Sequence, residues 1–221
     1  MPVTFPGESA EYRAARDELL AQEIELRRLT EAVASARRAL PSGGVAQDLV
    51  FEGVVDGAPG PVTLSQLFGD RDTLAVYSFM FGPERESPCP MCSGLLDGLD
   101  AVAEHVEQRL RLVVVAESPL PRLLAWAQRR PWSRLRLVST AGNAYNRDYH
   151  GKTARGSDSS MLNVFRREGE EVRHFWGSEM FYAQSDPGQD DRGLDVINPI
   201  FNLFDLTPGG RGDFYTKLGY R

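Results

Sequence analysis

The chain has 221 residues, 42% of them hydrophobic and 25% charged, with a net charge of −6. That length suits one well-buried domain with additions rather than two full domains. The acidic balance argues against work on nucleic acid or on an anionic membrane surface, both of which call for a basic field.

Near the start, Glu8, Glu11, Arg13, Arg16, Asp17 and Glu18 interrupt any apolar core of a secretory signal. No apolar run anywhere approaches the ~20 residues needed to span a bilayer, so the expected location is the cytoplasm. Residues 8–40 read as one long helix. Tyr12, Leu19, Leu26, Val33 and Leu40 recur every seven positions, with Ala15, Leu29 and Ala36 three positions after Tyr12, Leu26 and Val33. Gln22 is the polar exception in that second row. The stripe is expected to be covered either by the rest of the chain or by a second copy in a homodimer. Ser9 can cap the helix, and Pro41 with Gly43-Gly44 stops it.

Short apolar stretches at Leu49-Val50-Phe51 and Val54-Val55 flank turns, and a helical turn is expected over residues 62–68, ending near Gly69. Residues 74–81 form a nearly unbroken apolar run, predicting a central strand buried on both faces. Cys89-Pro90-Met91-Cys92 follows. Residues 94–110 read as a helix, 111–116 as a second buried strand, 119–130 as a helix and 135–139 as a third strand. A short helix or turn is expected over 143–149. Residues 161–167 and 171–176 alternate around Glu168-Gly169, a hairpin signal. Parallel strands joined by helices and closed by an antiparallel hairpin, with a CxxC after the first core strand, make a thioredoxin-like plan. The expected fold is therefore an α/β, thioredoxin-like mixed sheet flanked by helices. Three regions are expected: an N-terminal amphipathic helical extension (residues 1–44), the thioredoxin-like domain (45–176), and a C-terminal loop and aromatic extension (177–221) packing on it.

Cys89 and Cys92 are the chain's two cysteines. One close pair in a chain without an export signal points to redox or metal chemistry. Disulfide exchange needs a thiolate, so an attacking cysteine needs a lowered pKa. Immediately before a helix, Cys89 lies near unpaired N–H groups and the positive end of the dipole. Pro90 fits an early helical position, and Cys92 comes round the first turn to face Cys89. On this reading Cys89 attacks and Cys92 resolves, with no cofactor required. Arg85 is a candidate to help hold the thiolate.

The run from Asp48 to Cys92 resembles the peroxiredoxin and TlpA-like branch of the thioredoxin superfamily, through the Val62-Thr63-Leu64-Ser65-Gln66-Leu67-Phe68-Gly69 segment before the first core strand. The whole chain is identified as a member of the DUF899 family of thioredoxin-like bacterial proteins. The carrying blocks are Glu25-Leu26-Arg27-Arg28-Leu29, Arg37-Arg38-Ala39-Leu40-Pro41, Phe79-Met80-Phe81-Gly82-Pro83, Cys89-Pro90-Met91-Cys92-Ser93, and Asp205-Leu206-Thr207-Pro208 with Gly210-Arg211. The resemblance implies the fold, and by analogy a dithiol–disulfide activity. Thioredoxins carry a cis-proline before the strand facing the dithiol. Here that strand starts near Ser160-Met161 with no proline, and a cis bond before another residue costs roughly 3–4 kcal/mol. A specific disulfide or thiol partner, or a small molecule, is expected in place of general protein-disulfide reduction.

Two alternatives stand beside the oxidoreductase. Soft thiolates suit Cu(I), so Cys89 and Cys92 with His150 or His174 could form a three-ligand copper set. Copper chaperones of the Sco type do this, with their cysteines spaced one residue further apart. Met91 and Met161 are further soft candidates. The other alternative is a non-catalytic interaction module using the helix stripe. The late aromatics, among them Phe181, Phe201 and Tyr215, are expected either as a second packing layer or as an apolar roof over the dithiol.

Overall fold

The computed structural model describes residues 3–130 and 132–220; positions 1, 2 and 221 of the two predicted extensions, and position 131, lie outside the described residues. The chain divides into two units, Met1–Pro41 and Ser42–Arg221. The first is built on helix α1 (Ala10–Arg38), capped by the Ser9 hydroxyl, which accepts from the Tyr12 N–H at 3.0 Å. Arg13–Asp17 and Arg16–Glu23 ion pairs lie along it. No residue of α1 is buried, and Leu26 and Leu29 are more than half exposed. Pro41 disfavours helical geometry in the residue before it, which accounts for the end of the helix.

The second unit is a seven-stranded sheet. Strands β1 (Val50–Val55) and β2 (Ala58–Thr63) form an antiparallel hairpin turning on Asp56 and Gly57, both at positive φ (50° and 81°) as a two-residue primed turn requires. The sequence pattern predicts only turns here, whereas the structure shows two paired strands. Pro59 and Pro61 lie on β2, an edge strand, where a missing N–H is tolerated. Helix α2 (Leu64–Leu67) follows, with Thr63 and Gln66 closing a capping box. Then come β3 (Thr73–Ser78), α3 (Pro90–Val106), β4 (Arg111–Ala116), α4 (Leu120–Arg129), β5 (Arg136–Ser139), α5 (Tyr145–Asp148), β6 (Met161–Glu168), β7 (Glu171–Gly177), a 3₁₀ turn (Glu179–Tyr182) and α6 (Pro199–Phe204).

The strand order is β2-β1-β5-β4-β3-β6-β7, with β3, β4 and β5 parallel and β6 and β7 antiparallel additions. This is the mixed sheet of the thioredoxin-like fold, β3 being the strand that leads to the dithiol. Alternate residues of the central strands feed two cores. Tyr77, Leu112 and Val114 meet Leu95, Leu96 and Leu123 on one face. Val76, Val113 and Val115 meet Phe51, Leu64, Leu67 and Phe165 on the other. Burial on both faces explains why β3 and β4 read as continuous apolar runs.

Several boundaries differ from expectation, three of them at places that shape the site or the edge of the sheet. Strand β3 stops at Ser78 because the following residues leave the sheet to carry the dithiol loop: Phe79 N–H still reaches Val115 O, and Ser118 N–H bonds Phe81 O. Helix α3 opens at Pro90 rather than residue 94, and Gly94 lies inside it. Residues 43 and 44, counted with the helical extension in the sequence reading, lie along β7: His174 N–H donates to Gly44 O and Arg173 to Gly43 O.

Candidate dithiol site

Cys89 is the N-cap residue of α3, and Pro90 takes the first helical position, where its missing N–H leaves no bond unmade. The loop entering the site is pinned by Cys89 N–H on Met80 O (3.1 Å). The first turn closes with Ser93, whose N–H and hydroxyl both donate to Cys89 O at 3.0 Å. One turn of helix brings Cys92 round to Cys89, and both are free thiols, 3% and 7% exposed.

The environment pushes the two apart. Cys89 is lowered from 9.0 to about 5, first by the hydrogen bond from Cys92, then by the N–H groups of Cys92 and Met91 and the Tyr215 hydroxyl, with burial opposing. Cys92 is raised well above the ordinary thiol value, because its proton is held in the bond to Cys89 and because it is buried. The arrangement is one thiolate and one proton-holding thiol, the division that exchange chemistry uses.

The C-terminal segment completes the surroundings. Tyr215 Oη stands 3.8 Å from Cys89 Sγ. Beside it, the Thr216 N–H and hydroxyl both donate to Met91 Sδ at 3.3 Å. Gly94 permits this approach, since a Cβ there would come within 2.9 Å of Thr216 Cγ2. Further back, Arg211 and Arg192 bind Asp195 and Asp205, and Phe214 packs edge-on against Phe204. A cavity of about 270 Å³ remains over the sulfurs, walled by Tyr77, Met80, Leu95, Phe181, Leu194 and Phe201. Tyr77 Oη is buried there beside Cys92, and burial with the neighbouring sulfurs pushes its pKa well up, so it stays a donor. Tyr77 as a site residue was missed in sequence because it reads as one more apolar strand position. Tyr215 was noted only among the late aromatics.

The structure does not bring the expected histidines to the sulfurs. His150 and His174 line a different, larger cavity with Tyr149 and Tyr182. His174 Nε2 lies 2.9 Å from Asn163 Oδ1 and its ring stacks on Tyr149, while burial pushes its pKa down. His150, in the left-handed region at φ 57°, lies against the Tyr182 ring. Among the described residues no group of three His, Cys, Asp or Glu side chains could hold a metal ion. The copper set of Cys89, Cys92 and a histidine is therefore not assembled. The thioethers are engaged elsewhere, Met91 with Thr216 and Met161 with the Ser178 hydroxyl. Arg85, expected beside the thiolate, donates instead to Asp158 at 2.9 Å, which also takes the Gly82 N–H and Lys152. Among the described residues every peptide bond is trans, including the one before Met161, and no helix is long and apolar enough to cross a membrane.

Fold and site together define a thioredoxin-like α/β protein with a close cysteine pair at the start of the helix after its central strand. The chain belongs to the family described as "Bacterial protein of unknown function (DUF899)", which it matches over residues 2–220. Among solved structures it is similar to Plasmodium yoelii thioredoxin peroxidase I, at 16% identity over 71% of this chain and 86% of that one, with a TM-score of 0.49. It is also similar to the reduced Plasmodium vivax 2-Cys peroxiredoxin (18%; 73% and 97%; TM-score 0.48). A third similar structure is the exposed lipoprotein thioredoxin Etrx1 of Streptococcus pneumoniae (13%; 68% and 96%; TM-score 0.41). No curated protein matches the chain.

Proposed function

We propose that the protein is a dithiol–disulfide oxidoreductase in which Cys89 attacks as thiolate and Cys92 resolves the mixed disulfide. The observation that carries this reading is geometric: Cys89 is the N-cap of α3, its sulfur 3.8 Å from the Tyr215 hydroxyl, with Cys92 one turn along; these surroundings lower the Cys89 pKa. A buried structural pair would have both thiols raised by desolvation. Here helix N–H groups, the Tyr215 hydroxyl and the Cys92 proton converge on one sulfur. The Cys92 thiol is placed one turn along, where it can attack Cys89 Sγ once a mixed disulfide forms.

The test is a titration of the purified protein in thiol–disulfide buffers, with the Cys89–Cys92 bond followed by acid quench, alkylation and mass spectrometry. The expected result is a reversible two-electron transition between about −300 and −120 mV, the span of redox-active dithiols. Cys89→Ser abolishes it, and Cys92→Ser accumulates a mixed disulfide on Cys89. Thiols that stay reduced across that whole span refute the reading.

A further inference from the structure

We infer that the substrate of this site is a small neutral or cationic disulfide, and that proteins and carboxylate-bearing disulfides are turned away by the tail that closes over the sulfurs. The inference rests on the oxidoreductase reading and adds the substrate class. Three observations carry it.

The first is access. With Cys89 only 7% exposed and Tyr215 standing 3.8 Å from its sulfur, a disulfide fixed in a folded protein surface does not reach in line with Sγ. A cavity of about 270 Å³ lies over the pair instead, just below the ~300–1,000 Å³ of pockets that take drug-sized ligands. It suits a disulfide of a few carbons on either side, and a bulky tripeptide disulfide exceeds it.

The second is the lining. Much of the lining is apolar and aromatic, and the buried Tyr77 hydroxyl lies beside Cys92, toward whose sulfur it is a donor. Apolar walls favour the short carbon arms of a small disulfide, and a donor already in place beside Cys92 stabilises that sulfur as it gives up its proton to attack.

The third is charge. Asp190, Asp191 and Asp195 line the same cavity. From Glu179 to Asp213 the tail carries seven carboxylates against two guanidiniums. Both guanidiniums, Arg192 and Arg211, are already engaged with Asp195 and Asp205. Between Glu179 and Asp213 no cation is left for a substrate carboxylate, Lys217 lines a separate pocket, and the thiolate adds a further negative charge.

In the half-reaction Cys89 Sγ bonds to one substrate sulfur, the substrate S–S bond breaks, and the first half leaves as thiolate. Cys92 then attacks Cys89 Sγ, the second half leaves, and it takes the proton that Cys92 gives up. One substrate disulfide becomes one thiol and one thiolate, which takes its proton from water, and two electrons pass from the protein dithiol, which ends as the Cys89–Cys92 disulfide.

The test oxidises the reduced full-length protein in single turnover with cystamine, bis(2-hydroxyethyl) disulfide, dithiodiglycolate and oxidised glutathione. Each rate is divided by that of dithiothreitol with the same disulfide to remove intrinsic reactivity. Cystamine is expected to lead dithiodiglycolate by ~10-fold or more at low salt, with oxidised glutathione slowest. The spread should shrink in high salt, where exposed charges are screened. Asp190→Asn with Asp191→Asn keeps the Oδ1 acceptors of the Arg192 and Gly193 N–H groups and should narrow the ratio several-fold. A flat series, or one led by oxidised glutathione, overturns the selection while a normal redox transition leaves the oxidoreductase reading standing. A protein that neither reacts with any of the four nor titrates in redox buffer loses both.

Discussion

Replacing Cys92 by alanine removes the largest single contribution holding Cys89 as a thiolate, the hydrogen bond from the Cys92 thiol. A hydrogen bond to a charged group contributes about 1.5–3 kcal/mol, and one pKa unit corresponds to about 1.4 kcal/mol. The Cys89 midpoint should therefore climb from about 5 by ~1–2 units in the variant. Thiolate reactivity rises with basicity by a Brønsted slope of about 0.4–0.5, so each unit gained speeds the thiolate roughly threefold. The two effects oppose one another across the pH range. At pH 5 the variant has lost most of its thiolate and should react ~2–6-fold more slowly than the wild type, whereas above pH 8 it should react ~3–8-fold faster. The iodoacetamide rate profiles should cross near pH ~6. The buried Cys92, with its raised pKa, stays silent in the wild-type measurement below pH 8. Coincident midpoints in the two proteins, or a wild-type midpoint at the ordinary thiol value of about 8.5, would refute the assignment.

The remaining expectations concern the tail and the fold. Tyr215→Phe should raise the Cys89 midpoint by less than Cys92→Ala does, because its hydroxyl stands 3.8 Å away. Thermal melting should be unchanged, since Tyr215 is 58% exposed. Gly94→Ala improves helix propensity but drives a methyl to 2.9 Å from Thr216 Cγ2. It should loosen the tail, raise the Cys89 midpoint and speed alkylation of Cys92, as read by peptide mass spectrometry. Because folding lowers the Cys89 pKa from 9.0 to about 5, its ionisation stabilises the fold fully above the upper value, and that contribution disappears as pH falls through the lower one. Under reducing conditions the Tm advantage of wild type over Cys89→Ser should therefore shrink from pH 7 to pH 4.5; a constant difference would contradict the shift.

What could be read in the sequence was local. β3 and β4 were legible because both their faces are buried, and the dithiol because a three-residue spacing and a proline suffice to place it on a helix. The β1–β2 hairpin carried its signal in Asp56-Gly57, yet the two prolines of β2 masked it; only the edge position makes them compatible with a strand. The surroundings of the thiols were not legible. Arg85 lies four positions before Cys89 and invited pairing with it, but Asp158, distant in sequence, takes the guanidinium. The histidines, chosen as possible ligands for their chemistry, fall on the far side of a choice that only β6 and β7 make: Asn163 claims His174. Tyr77 and Tyr215 reach the sulfurs through tertiary packing, for which no spacing rule exists.

The contact between Cys89 and Tyr215 closes across 126 residues. At about 5–20 residues per second, a ribosome makes the tyrosine roughly 6–25 s after the cysteine. Until then the segment that supplies the cover does not exist, whatever the state of the dithiol helix. On the proposed reading, selectivity would thus be acquired later than reactivity. On the same reading, a chain that loses its tail to proteolysis would return to that earlier state, a thiol without the segment proposed to choose its partner.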